Sequence, residues 1–148
     1  MTSALEVNHR RFIDEIWYPK NAPNYDVIDE VMDEDLVVHT PLGDVHGRAA
    51  AKDFFKGYLA VFPKQTMEAR DFVVFENRTI VRWDQEATHD GVEFMGIKPA
   101  GKRMFVTGLT MAYWDEDKKT MKEIWFSFDL LGIINQLKNP AAPDENVG

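Results

Sequence analysis

At 148 residues, 45% hydrophobic and 28% charged, the chain is long enough to bury a core and too apolar for a disordered polymer. Its 17 Lys and Arg against 25 Asp and Glu leave a formal charge of -8, which repels phosphate polymers and excludes nucleic acid as an expected partner. The cysteine count is 0, so a disulfide framework, a thiolate metal site and a cysteine nucleophile are excluded together.

The opening MTSALEVNHRRF shows no apolar run behind a basic start. No segment reaches the ~18 apolar residues of a membrane span. A cytoplasmic protein without membrane contact is expected. Leu5, Phe12, Ile13, Ile16 and Trp17 recur at helical spacing between charged residues, which predicts an amphipathic first helix stopped at Pro19. Asn24 is placed to cap a second helix that turns Val27, Ile28, Val31 and Met32 to one face. LVVHT is a short β-branched stretch closed by Pro41 and Gly43, and a third helix then carries Phe54, Phe55, Tyr58, Leu59 and Phe62 up to Pro63.

From Met67 the period falls to two, predicting strands near 67–75, 79–89, 103–114 and 121–129 with turns at ENR and DEDKK. Leu130, Leu131, Ile133, Ile134 and Leu137 suit a short closing helix. NPAAPDENVG has too little apolar surface to pack, so 1–138 is read as one domain and 139–148 as a flexible tail. Helices first and strands after them indicate an α+β fold, with a strongly curved antiparallel sheet wrapped over the N-terminal helices and a conical cavity between.

Alternation in TIVRWDQEATH puts Trp83, Gln85 and His89 on one side, the expected interior. Polar groups beside an aromatic are what a small-molecule pocket needs, although His89 is equally readable as a core histidine with a neighbouring acceptor. In KEIWFSFDLLG, Glu123, Trp125, Ser127 and Asp129 share a face opposite Ile124, Phe126 and Phe128. Asp129 is either the N-cap of the next helix or a carboxylate whose pKa desolvation raises toward that of a general base. His39 borders the expected cavity mouth, where it bonds a ligand or the adjacent turn. Trp17, Trp83, Gln85, Thr110, Trp125 and His39 form the expected substrate-binding set; Tyr58, Phe54 and Phe55 read as core. His9, His39, His46 and His89 lack metal-ligand spacing, so no metal is expected. Signatures of acyl-serine and nucleotide chemistry are missing.

The first helix ending in DEIW, the LVVHTPLGDVHGRAAAKDFF turn and helix, THDGVEFMGIKPAGKRMFVTG and EIWFSFDLLGIINQL together resemble the SnoaL-like polyketide cyclases of the nuclear transport factor 2-like superfamily, over roughly residues 4–138. The resemblance implies a cone-shaped α+β barrel, often a homodimer packed through the sheet, working without metal or organic cofactor. It implies acid/base chemistry in which an enolate closes a ring by intramolecular aldol condensation. Carried over by position, His89 matches the family's pocket histidine and Asp129 the aspartate before the closing LLG-type segment, which makes these two the catalytic candidates. Thr110 stands where many members place an acid, and Tyr113 replaces a frequent arginine. The expected function is therefore a cofactor-independent cyclase or isomerase acting on a polyketide-like or small cyclic hydrophobic substrate. The alternative is a non-catalytic protein that binds a small hydrophobic ligand in the same pocket.

Overall fold

The structure is a computed structural model that describes residues 3–18 and 22–138. Helix α1 (Ala4–Phe12) starts where the Ser3 hydroxyl accepts the Glu6 N–H at 3.1 Å, one of the donors a helix start leaves without an internal partner. Leu5, His9 and Phe12 lie buried along its inner face. The chain then widens into a π-helical turn, Ile13–Trp17, closed by a 2.8 Å bond from the Tyr18 N–H to the Ile13 carbonyl. This departure from the regular helix expected there brings Ile13, Ile16 and Trp17 all into the core. The stop expected at Pro19 lies outside the described residues, as does the tail expected over 139–148.

Helix α2 (Asp26–Val31) has Tyr25, not the expected Asn24, at its N-cap and no side-chain cap; Asn24 sits one residue earlier, its Oδ1 accepting the Asp26 N–H at 3.2 Å while its Nδ2 donates to Glu15 at 2.8 Å. Met32, expected on that helix, instead opens strand β1 (Met32–Thr40), which is longer than the LVVHT stretch. Strand β2 (Gly43–His46) was not foreseen, and helix α3 (Arg48–Val61) follows. The meander comprises β3 (Lys64–Phe75), β4 (Arg78–His89), β5 (Lys102–Asp115) and β6 (Thr120–Phe128), and helix α4 (Leu130–Lys138) closes the described chain.

The sheet order is β2-β1-β6-β5-β4-β3. The expected α+β layering is present, with two corrections. The sheet is mixed, because β1 runs parallel to β6 while the other pairs are antiparallel. It is also open, with β2 and β3 as its edges, so it is a curved roll rather than a barrel. The pairing of β3 with β4 slips between Ala69 and Asp71, and that of β5 with β6 between Tyr113 and Trp114, irregularities of the kind that bend a strand over its helices. Thr79, Val81, Trp83, Gln85, Ala87 and His89 of β4 are all buried, as alternation predicts. No helix of the described residues is long and apolar enough to cross a membrane.

The segment after β4 docks on the end of α3. Gly91 and Val92 donate their N–H groups to the carbonyls of Val61 and Ala60 at 3.2 and 3.0 Å, satisfying acceptors the helix terminus leaves open. A Cβ on Gly91 would lie 1.8 Å from the Ala60 carbonyl oxygen, so this close approach requires glycine.

Candidate functional site

Between α3, the π-helical turn and the inner face of the sheet lies a cavity with about 30 Å³ of free volume, room for a water molecule or two. Its walls are chiefly the rings of Trp17, Phe54, Phe55, Trp83, Phe126 and Phe128, with Met67 alongside. The expected deep pocket is thus largely filled by its own aromatic lining. Trp17 packs edge-on against Phe55 and Tyr58 at ring separations of 5.7 and 6.0 Å, the preferred geometry of aromatic pairs.

Trp83 is held in place from two sides. Its indole Nε1–H donates to the Thr110 hydroxyl at 2.8 Å. Its six-membered ring lies over Gly108, where a Cβ would fall 2.2 Å from Trp83 Cζ2. Thr110 therefore acts on the cavity through Trp83 and does not itself line it, a different place from the ligand contact expected of it.

Three polar side chains line the cavity: Thr40, Tyr58 and Gln85. The Thr40 hydroxyl accepts from the Leu42 N–H at 2.9 Å and donates to the Gly43 carbonyl at 3.0 Å. Tyr58 donates its O–H to Gln85 Oε1 at 3.2 Å, Gln85 Nε2 donates to Gln65 Oε1 at 2.9 Å, and Gln65 Nε2 donates to the Trp17 carbonyl at 2.8 Å. Burial pushes the Tyr58 phenol pKa well above its ordinary 10, so the ring stays neutral. Among the described residues no carboxylate and no imidazole lines the cavity, and no group of three His, Asp or Glu side chains is arranged to hold a metal ion.

The expected site residues divide accordingly. Trp17, Trp83 and Gln85 meet in the cavity. His89 is fully buried at the end of β4, where Nε2–H donates to the Val92 carbonyl at 2.8 Å and the ring lies 5.7 Å from that of Phe62. It ties down the segment docked on α3 and does not line the cavity, as a core histidine would. Asp129 is exposed, and its Oδ1 accepts the Gly132 N–H at 2.8 Å; it takes the capping role of its two readings. Trp125 is 46% exposed on the outer face of β6, so Phe126 and Phe128, not Trp125, are the residues of that strand that line the cavity.

His39 also faces outward, at register with Trp125, and the two rings stack at 3.8 Å with 22° between their planes. Its Nδ1 meets Asp44 at 2.9 Å and its Nε2 meets Glu123 at 2.7 Å. Desolvation opposes charge on the ring, but the hydrogen bonds and charges of Glu123 and Asp44 outweigh it, and the pKa is raised above 6.5. The contacts of His39 are with Trp125 and the two acids, not with the cavity. Phe54, Phe55, Tyr58, Phe126 and Phe128 are among the site residues that sequence reasoning passed over. Their helical or alternating spacing is the same for a cavity wall as for a core, and only the three-dimensional gap distinguishes them.

The model of a family described as SnoaL-like polyketide cyclase matches residues 7–137. No curated protein matches. Among solved structures, a candidate SnoaL-like polyketide cyclase from Jannaschia sp. CCS1 is similar with a TM-score of 0.82 at 20% identity, over 93% of this chain and 94% of that one. A candidate polyketide cyclase from Acidithiobacillus ferrooxidans gives 0.80 at 24% identity over 95% and 99%. IdmH from Streptomyces antibioticus, a candidate polyketide cyclase, gives 0.74 at 23% identity over 90% and 97%. Likeness at these identities concerns the fold.

Proposed function

The chain belongs to the SnoaL-like polyketide cyclase family, and from that premise we propose that it binds a small, flat, hydrophobic ligand in the aromatic cavity without itself supplying an acid or base there. The observation that carries this reading is the lining: aromatic rings, Met67 and three hydrogen-bonded neutral side chains, with no carboxylate or imidazole among the described residues. Proton transfer at carbon needs a base within hydrogen-bond reach of the proton it removes. The cavity offers affinity and orientation instead. A ring-sized ligand exceeds the free volume, so binding requires one of the wall rings to turn aside. Titration with toluene, followed through the indole N–H signals of Trp17 and Trp83, should give saturable shifts, and Phe128→Trp should remove them by filling the space. Shifts that survive Phe128→Trp unchanged would place binding elsewhere.

A second reading keeps the cyclisation chemistry of the family name, with Asp129 or His89 as the base. One observation favours it: Asp129 directly follows Phe128 of the cavity wall, so a change at the start of α4 would carry its carboxylate toward the mouth. Asp129→Asn should then abolish turnover of a polyketide-like substrate with binding unchanged. Full turnover in that variant would remove Asp129 from the mechanism.

The same proposal includes a homodimer through the outer face of the sheet, where Phe105, Leu109 and Trp125 are 49%, 51% and 46% exposed. A second copy fits because one row across this face carries a cation, Arg78, and an acid, Glu123, on β4 and β6. Arg78, whose guanidinium lies over the Tyr113 ring at 5.1 Å, stands at register with Tyr113, and Tyr113 with Glu123. A two-fold axis would set each Arg78 against the partner's acid. Leu109→Glu should convert a dimer to a monomer in sedimentation; a wild-type monomer at micromolar concentration would reject this part.

A further inference from the structure

The hydrogen-bond chain along the cavity wall has only one direction open to it. It ends on the Trp17 carbonyl, which accepts and cannot donate, so the side-chain amide of Gln65 must present its NH₂ there, at 2.8 Å. Gln65 is then left with Oε1 toward Gln85, which must answer with its own NH₂ at 2.9 Å. That turns Gln85 Oε1 to the phenol of Tyr58, 3.2 Å away, and Tyr58 has to be the donor. Amide orientations are usually a matter of assignment; here a backbone carbonyl dictates them three residues down the line.

A phenol has one proton and two lone pairs. With the proton committed to Gln85, the Tyr58 oxygen can only accept from anything entering the cavity. Thr40 offers no competing donor, because its proton goes to the Gly43 carbonyl. The remaining unsatisfied polar atom on a lining residue is Trp17 Nε1, a donor without a partner among the described residues, on a ring 6.0 Å from that of Tyr58. A hydroxyl group answers both, donating to the phenol oxygen and accepting from the indole. A ketone or ether answers only the indole, and a hydrocarbon neither.

We infer that the cavity selects a ligand bearing a hydroxyl (a phenol, enol or alcohol on a small ring) and that Tyr58 is the specificity-determining acceptor, its polarity set by Gln85, Gln65 and the Trp17 carbonyl. This rests on the ligand-binding reading above. A single such bond discriminates about 2- to 12-fold.

The test compares toluene, anisole and phenol on the full chain, with dissociation constants taken from NMR titration. Phenol should bind about 5- to 10-fold more tightly than anisole. Tyr58→Phe should reduce that advantage to about 2-fold or less while the toluene constant stays within about 2-fold of wild type. Gln85→Leu should also narrow the gap, by freeing the Tyr58 proton to donate to the anisole oxygen, and it does so with the phenol intact. Equal binding of phenol and anisole to the wild type would overturn the inference, as would a phenol advantage that persists in both variants. If toluene binds without any phenol advantage, only this inference falls. If none of the three binds, the ligand-binding reading falls with it.

Discussion

Lowering the pH charges an imidazole for which the fold has left no solvation. His9 is 1% exposed, enclosed by Phe12, Phe72 and Trp114, with Nδ1 2.7 Å from the Thr79 hydroxyl that also receives the Trp114 indole N–H. Desolvation, helped by the nearby charge of Arg10, lowers its pKa from 6.5 to about 3. Above pH 6.5 neither the folded nor the unfolded state holds the extra proton, and His9 makes no pH-dependent contribution. Below it the unfolded chain takes up a proton that the folded chain refuses, and stability falls by about 1.4 kcal/mol per pH unit until the folded pKa is reached. At pH 4.5, two units below the unfolded value and above the folded one, the loss is about 3 kcal/mol. Carboxylates add their own acid sensitivity, so the informative quantity is a difference of differences. Urea unfolding of wild type and His9→Gln at pH 7.5 and 4.5 should show the wild type losing about 3 kcal/mol more than the variant. Equal losses would show that His9 takes up its proton in the folded state as readily as in the unfolded one, and that burial does not lower its pKa.

Gly108→Ala should drive the Trp83 ring off its seat and weaken the bond to Thr110, costing about 1–3 kcal/mol as overpacking does and shifting the Trp83 indole N–H signal; an unshifted signal with unchanged stability would mean that the ring is not confined there. Asp129→Ala should lose about 1 kcal/mol by removing the α4 cap, whereas Asp129→Asn, an equally good cap, should stay within a few tenths; equal effects in unfolding experiments would reject the capping role. The raised pKa of His39 means that the stability it contributes through Asp44 and Glu123 is fully present below pH 6.5 and is lost as pH rises through the folded value. The difference in melting temperature between wild type and His39→Asn should therefore shrink from pH 5.5 to pH 8.5, and a difference that grows with pH would refute the charged bridge.

The inner face of β4 was readable because strict alternation of Thr79, Val81, Trp83, Gln85, Ala87 and His89 survives in a strand covered on one side. The face of β6 was harder to choose. Trp125 and Phe126 are both large and aromatic, so alternation separates them without saying which is inside, and Trp125, the ligand contact expected from sequence, is the exposed one. Parallel pairing of β1 with β6 joins segments about 85 residues apart, and nothing local to LVVHT marks it. The π-helical turn is similarly silent, since Ile13, Ile16 and Trp17 fit a regular helix until the core demands all three. Asp129 was readable as a cap from its place before an apolar helical run. Tyr58 was not readable as a site residue, because its meaning depends on Gln85, Gln65 and a main-chain carbonyl that only the folded chain brings into line.

The most direct test is a crystal structure with 4-bromophenol, in which the anomalous signal of bromine locates the ligand independently of the protein density. The ring should lie among Trp17, Phe55, Trp83 and Phe126, with one wall side chain turned aside and the ligand oxygen within hydrogen-bond distance of Tyr58 Oη. Bromine on the outer face beside Trp125, or beside His89 with the cavity still closed, would contradict it.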